Sequence, residues 1–352
     1  MRPLEKPVAG VPASDLERIL ELCEPIWARL RGRRLLITGG TGFFGTWLLE
    51  TIAAANAALD LGLKASIVSR DPSAYRARFV HLGHDPAFTW IAGSAADFPC
   101  PNMDHDFLLH LATVTSARTG QTDSRLMLSA KLEGIRHVID VARRSGIRRA
   151  LVTSSGAIYG PQPPQLATIP ETYAGAPDPT KPESAYGTGK RMVEQFCAVN
   201  DDIDIVIARC FAFLGPHLPL DGRFAAGNFI RDALAGEPIT IHGDGTGIRS
   251  YLYVGDLIVW LLNLLISVPG RTAYNVGSDE PISIYDLAQR VSALTGQTEI
   301  RILKAPGRAP LESYVPCIDR VRKLTGLNVF TSLDRSLEKT LDWYSETTSS
   351  VR

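Results

Sequence analysis

The stretch "LLITGGTGFFGTWLLE" (35–50) is an apolar run that breaks into glycines at 39, 40, 42 and 45 and resumes with helical spacing. Glycine loses more backbone entropy on folding than alanine, so stability alone does not place four of them there. A strand that turns tightly into a helix, and whose backbone is approached closely, accounts for them. A helix N-terminus offers free N–H groups and a positive dipole end to an anion. In that setting Gly39 permits the turn, Gly42 lets the backbone reach a pyrophosphate, and Gly45 lets the helix lie close on a sheet. The spacing is G-x-x-G-x-x-G rather than G-x-G-x-x-G, and a βα turn with no ligand would carry the same triplet. Other motifs must decide.

Outward from the turn, strand-like and helix-like segments alternate. Strands are expected at 34–38, 64–69, 88–93, 106–112, 149–155 and 204–210, with helices at 44–59, 125–146 and 185–200. Short apolar strands alternating with helices predict an α/β fold: a doubly wound parallel sheet of Rossmann type, covered on both faces. Beyond about 215, proline and glycine become frequent, and a smaller C-terminal α/β lobe is expected around 228–236, 283–296 and a helix at 332–345. The expected division is therefore 1–32, a helical appendage kinked at Pro25; 33–215, the dinucleotide-binding domain; and 216–352, mainly a substrate-binding lobe.

Composition narrows the function. The chain's 352 residues carry 37 basic and 37 acidic side chains, and zero net charge argues against a nucleic-acid binder. Its five cysteines are widely spaced without a CxxC, as expected of idle thiols in a reducing cytoplasm, and no His/Cys cluster has metal-ligand spacing. No apolar leader precedes a cleavage site, and "LIVWLLNLLI" (257–266) is too short to span a bilayer. It reads as a core helix. A cytoplasmic protein without a membrane partner is expected.

The chemistry concentrates in two motifs. "TSSGAIYG" (153–160) ends a strand, and "AYGTGK" (185–190) opens a helix, so that Tyr186 and Lys190, four residues apart, share one helix face. A free phenol ionises near pH 10, too high for a base at neutral pH, whereas an adjacent cation stabilises the phenolate. Ser155 then sits where it can hydrogen-bond the same substrate oxygen. Alone, Y-x-x-x-K is usually a surface pair; after a dinucleotide turn it reads as catalytic. At the end of the second strand, Ser69 is followed by Arg70 and Asp71. An acid there suits the free ribose 2′-OH of NAD and a basic residue the 2′-phosphate of NADP. Arg70 favours NADP, unless Asp71 takes the acid's part and Arg70 only stacks on adenine.

In combination these motifs resemble the extended short-chain dehydrogenases/reductases, in the nucleotide-sugar epimerase/dehydratase branch. The landmarks are "TGGTGFFG" (38–45), "LHLAT" (109–113), "TSSGAIYG", "YGTGK", "GDGTGIRSYLYVGD" (243–256) and "YNVGS" (274–278). The resemblance implies an NAD(P) cofactor held by Gly39, Thr41, Gly42, Phe43, Phe44, Gly45, Ser69, Arg70, Leu111, Ala112, Thr113, Thr153, Tyr186 and Lys190. It implies oxidation of a nucleoside-diphosphate sugar at C4, with Ser155, Tyr186 and Lys190 catalytic. On the substrate side it implies Arg249 and Arg308 at the diphosphate, Asn228 nearby, and Thr115 and Ser155 toward the sugar. Surface ion pairs, a helix N-cap and plain loop hydroxyls are the alternatives for these positions. It also implies a homodimer built on the helices at 125–146 and 185–200.

Within the branch, the 4,6-dehydratases carry an Asp-Glu pair after the Ser/Thr of this motif, and decarboxylating relatives keep a glutamate; this chain has Gly156 and Ala157. Without that acid and base, elimination is disfavoured, and "SSGAIYG" is similar to the 4-epimerases, of the UDP-glucose 4-epimerase type. An NADPH-dependent 4-keto-sugar reductase is the alternative that Arg70 favours, and a non-catalytic dinucleotide binder is the remaining one. Further departures are Ala212 for a substrate-contacting asparagine, Ser94 for an aspartate at the adenine, Lys131 for an asparagine that supports the active-site backbone, and a proline-rich insertion at 162–184.

Overall fold

The computed structural model describes residues 10–112, 124–220, 224–305 and 312–349. Helices α1 (Ala13–Leu22) and α2 (Glu24–Leu30) come first, broken at Cys23 just ahead of Pro25. Then β1 (Arg34–Thr38), α3 (Phe43–Leu59), β2 (Lys64–Ser69), α4 (Pro72–Arg78), α5 (Val80–Gly83), β3 (Phe88–Ala92) and β4 (Phe107–His110) follow in order. The second half of the sheet is supplied by α6 (Ser124–Arg144), β5 (Arg149–Ser155), α7 (Ala185–Val199) and β6 (Asp204–Cys210). β1, β2, β5 and β6 match the expected boundaries residue for residue.

Past 210 the chain forms β7 (Phe213–Leu214), α8 (Ala225–Leu234), β8 (Ile239–Ile241), β9 (Ile248–Arg249) and β10 (Leu252–Tyr253). It then returns to the sheet through α9 (Val254–Ser267) and β11 (Thr272–Val276). β12 (Ile282–Ser283), α10 (Ile284–Leu294), β13 (Ile300–Ile302), β14 (Ser313–Tyr314), α11 (Asp319–Thr325) and α12 (Leu333–Ser349) complete it. The main sheet has seven strands in the order β11-β6-β5-β4-β1-β2-β3, every neighbouring pair parallel. Strand order reverses between β1 and β4, the switch point beyond whose carboxyl ends open α/β sheets bind their ligands.

The sheet draws on residues past 215: β11 pairs with β6, and α9 is buried with Trp260 and Leu261 at 0% exposure. The apolar run at 257–266 is thus a core helix, and among the described residues no helix is long and apolar enough to cross a membrane. The first two helices pack on the body of the chain, with Ile19, Ile26 and Leu30 in the same core as α3 and α9. Buried Asp15 fixes them there by accepting from the Tyr253 hydroxyl at 2.8 Å and the Lys339 ammonium at 2.6 Å. The opposite face is covered by α6 and α7, through Ile135, Val138, Ile139 and Val193. α8, α10 and α12 pack with Ile239 and Ile241 into a separate core, the C-terminal lobe.

Candidate active site

The glycine turn lies between the carboxyl end of β1 and the start of α3, at the switch point. Gly39 has φ +76°, and a Cβ there would stand 2.5 Å from the backbone N of Ala112. At Gly45 a Cβ would stand 2.3 Å from the carbonyl carbon of Gly40, so α3 can reach the turn only with glycine at that place. Gly42 differs. It caps α3 in extended backbone (φ −90°), and the nearest atom to its missing Cβ is the Gly39 carbonyl oxygen at 3.4 Å. Protein packing demands the first two glycines and not the third, which leaves an open approach to the helix N-terminus. The residues fit a dinucleotide pyrophosphate.

The remaining candidates for that ligand line the same edge. Leu111 N donates to Thr38 O, which carries residues 111 and 112 past Gly39. Thr41 Oγ1 lies 3.4 Å from Ser69 Oγ at the end of β2, and Arg70 beyond it is exposed. Asp71 accepts from Ala74 N at 2.9 Å as the N-cap of α4, so one of its oxygens is already engaged. Phe43 and Phe44 are partly buried and pack against the core, Phe44 edge-on to Phe213 at 5.0 Å.

The expected chemical group assembles at the ends of β5 and α7. Lys190, 3% exposed, donates to the carbonyl of Thr153 at 2.7 Å, and Thr153 Oγ1 donates to the carbonyl of His110 at 3.1 Å. Burial pulls the Lys190 ammonium down to about 8, against the opposing pull of Cys210 and Glu194. Ser155 Oγ accepts from Ala157 N at 3.2 Å and shares a hydrogen bond with the hydroxyl of Tyr314. Tyr186 is half-buried one helical turn before Lys190, with the ammonium of Lys131 over its ring, 4.5 Å from the centroid.

Two of these groups escape the sequence reading. Tyr314 comes from β14 of the C-terminal lobe, packs on Phe211 at 4.6 Å between centroids, and has its ionisation pushed up by burial. It fills the space beside Gly156, where a Cβ would meet its hydroxyl at 2.6 Å and the Phe211 ring at 2.7 Å. The glycine in "SSGAIYG" is the only trace of it in the sequence. Lys131, noted there merely as a departure, is buried against Gly189, where a Cβ would stand 2.7 Å from the Lys131 Cδ. The insertion at 162–184 holds β14 in place. Gln162 Oε1 accepts from Val315 N, Ile169 N donates to Val315 O, and Asn275 Nδ2 bonds the carbonyls of Ile169 and Cys317.

The substrate-side candidates are brought together in part. Arg249 lies on β9, paired with Tyr314 of β14, and its guanidinium bonds the carbonyl and the exposed carboxylate of Glu312. Asn228 does not open its helix: α8 begins at Ala225 with Phe224 as N-cap, which rules out the capping alternative, and Asn228 Oδ1 accepts from Arg231. The small residues Ala225, Ala226 and Gly227 carry no periodicity, hence the later start expected from the sequence. Thr113, Thr115 and Arg308 lie outside the described residues. Among the described residues, no group of three or more His, Cys, Asp or Glu could hold a metal.

A parallel sheet with a glycine turn at its switch point, and Ser, Tyr and Lys gathered at the ends of β5 and α7, defines the class of extended short-chain dehydrogenases/reductases. A model of the NAD dependent epimerase/dehydratase family matches residues 35–277, and the chain belongs to that family. Its curated relatives include UDP-glucuronic acid decarboxylase 1 of Danio rerio, 28% identical over 321 residues that cover 89% of this chain and 73% of the relative. UDP-N-acetyl-alpha-D-glucosaminuronate decarboxylase of Bacillus cytotoxicus is 24% identical over 335 residues, 89% and 98% of the two chains. Among solved structures, UDP-glucose 4-epimerase of Thermotoga maritima with UDP-glucose superposes with a TM-score of 0.75 at 20% identity, over 90% of this chain and 99% of that one. UDP-glucuronic acid 4-epimerase of Bacillus cereus with NAD does so at 0.75 and 22% identity, over 89% and 99%. The structural likenesses speak for the fold.

Proposed function

We propose that this protein oxidises a nucleoside-diphosphate sugar at C4 and returns the hydride to the 4-keto intermediate, a redox-neutral 4-epimerisation. The observation that carries it is the turn after Ser155. Gly156 and Ala157 bring no carboxylate, and Tyr314 with Phe211 occupies the volume that a side chain at 156 would need. Glu194, on the same helix as Tyr186, is held by Arg209 and Ser154, and Glu171 by Asn275 N. At this turn the chain lacks the carboxylate that the family resemblance implies for elimination and decarboxylation.

In this reading the nicotinamide, when bound, supplies the hydride acceptor and donor. Tyr186 takes the proton of the C4 hydroxyl as phenolate, and Lys190 holds it in that form. Ser155 is placed as the hydrogen-bond donor to the substrate oxygen: its own oxygen already accepts from Ala157 N–H, and the Tyr314 hydroxyl, which burial keeps protonated, lies beside it. Arg249 and Arg308 pair with the diphosphate, with Asn228 beside it. Arg70 selects NADP through the 2′-phosphate, since Asp71 is turned to α4. The same reading expects a homodimer through α6 and α7, whose exposed Leu126, Leu132 and Val199 are available for it.

The names of the sequence relatives support a second reading, decarboxylation of a nucleotide uronate. One experiment separates the two. Purified protein with added NAD or NADP is incubated with UDP-glucose, UDP-N-acetylglucosamine, UDP-glucuronic acid and a 4-keto sugar, and the products are resolved by chromatography and NMR. Inversion at C4 without net cofactor consumption is expected. Release of carbon dioxide would establish the second reading, stoichiometric NADPH loss would mark a reductase, and no turnover on any sugar would overturn the catalytic proposal.

A further inference from the structure

The position over Tyr186 is taken by a lysine whose methylenes lie against Gly189 on the facing helix and whose ammonium caps the aromatic face at 4.5 Å. Lys131 is 7% exposed. A long cationic side chain is rarely buried to that extent without a role for its charge. Around it, α7 presents Tyr186 and Lys190, and β4 presents His110, neutral and bonded to Thr38 Oγ1. Lys190 in turn faces Glu194, Cys197 and Cys210, and Tyr186 faces Tyr314. One ammonium, that of Lys131 on the neighbouring helix, therefore caps the phenol ring, while Lys190, one turn on in the same helix as Tyr186, is bonded to the Thr153 carbonyl.

We propose that Lys131 is a positioning residue for the base: its ammonium, seated on the Tyr186 ring, joins Lys190 in holding the phenol as phenolate. A cation over a ring face is drawn to the ring's negative quadrupole, and more strongly once the oxygen has lost its proton. Burial and the Lys190 charge bring Lys131 down to about 7. The phenolate–ammonium form carries the same net charge as the phenol–amine form, so Tyr186 gains its anion without adding charge to the buried site. The asparagine that relatives place here has no charge to contribute.

The inference rests on Tyr186 as the base of the proposed reaction, but its test reads the phenol directly and needs no sugar. The ultraviolet phenolate band near 295 nm is titrated in the full-length protein, with Tyr186→Phe subtracted to isolate the one tyrosine. Lys131→Met should move the midpoint upward by about one pH unit or more, the scale set by a charge within 4–6 Å. Lys131→Arg should leave it near the original value. An unmoved midpoint in Lys131→Met, or an equal shift in the arginine variant, would reduce Lys131 to packing and overturn the proposal. Should these variants fail to fold, a fluorotyrosine placed at 186 in the otherwise unaltered chain decides. Its 19F signal should step near neutral pH as the neighbouring ammonium loses its proton, apart from the phenol's own step, and a single step would refute the pairing.

Discussion

Gly156→Ala puts the seating of Tyr314 to the test. The added methyl would stand 2.6 Å from the Tyr314 hydroxyl and 2.7 Å from the Phe211 ring, while ordinary carbon contacts lie near 3.5–4 Å. Both aromatic side chains must retreat by roughly 1 Å. They cannot do so independently, because their rings are packed together at 4.6 Å and β14 is pinned by Gln162, Ile169 and Asn275. Overpacking of this kind costs about 1–3 kcal/mol. The hydroxyl is drawn away from Ser155 as it moves, and the serine loses a neighbour that holds it in place. Chemical denaturation should show a stability loss in that range, and turnover on whichever sugar is accepted should fall by at least about tenfold, the equivalent of one hydrogen bond. Tyr314→Phe should reproduce the loss of turnover without the loss of stability, since it keeps the ring and removes only the oxygen. Should Gly156→Ala be as stable and as active as the parent, Tyr314 is not seated on Ser155, and the exclusion of a carboxylate from this turn loses its physical basis.

Tyr186→Phe should abolish turnover while leaving the melting curve and cofactor binding unchanged, as read by activity and by calorimetric titration. Arg70→Ala should weaken NADP by about tenfold or more and leave NAD nearly untouched, the scale of a charge-assisted hydrogen bond. Asp15→Ala strips a buried acceptor from Tyr253 and Lys339; about 3 kcal/mol of stability should be lost in denaturant unfolding, with the first two helices most affected. His110, buried, and His217, half-buried, are neutral, both pulled down by desolvation to about 3. Between about 3 and the ordinary histidine value the unfolded chain binds more protons, so stability should rise with pH across that window and fall on acidification below about 6.5, measured by melts at constant ionic strength.

The parallel sheet was legible because its strands are short apolar runs separated by helical periodicity, and both signals are local. The catalytic candidates were legible for the same reason: Ser155 and Tyr186 stand in motifs at a strand end and a helix start. Tyr314 was not. It reaches Ser155 from a two-residue strand of the other lobe, and no periodicity in "ESYVPCID" says which way its ring points. Lys131 stood out only as the wrong residue for its place, since contact across α6 and α7 is a tertiary fact. The boundary expected at 215 likewise divides the chain more sharply than the fold does. β11 is a short strand like its neighbours, but its membership in the main sheet depends on pairing with β6 across some sixty residues.

These two side chains bear on the direction of the chemistry as well as on its rate. A carboxylate beside the reacting sugar would serve as acid or base for bonds other than the C4 hydroxyl. Here that volume is filled by a phenol that burial keeps protonated, and an ammonium, that of Lys131, lies over the Tyr186 ring. Such a site favours removal of one hydroxyl proton, and the turn after Ser155 brings no carboxylate with which to remove a second proton from carbon. On the proposed chemistry the keto sugar recaptures the hydride, and the stereochemical outcome depends on how freely it turns between Ser155 and Arg249. Ala157→Glu tests the point. It restores a carboxylate at the one position of the turn that Tyr314 does not fill, and with UDP-glucuronic acid it should divert some of the intermediate to carbon dioxide. A variant that folds, binds cofactor and still yields only the C4 epimer would show that exclusion of the acid is not what decides the fate of the ketone.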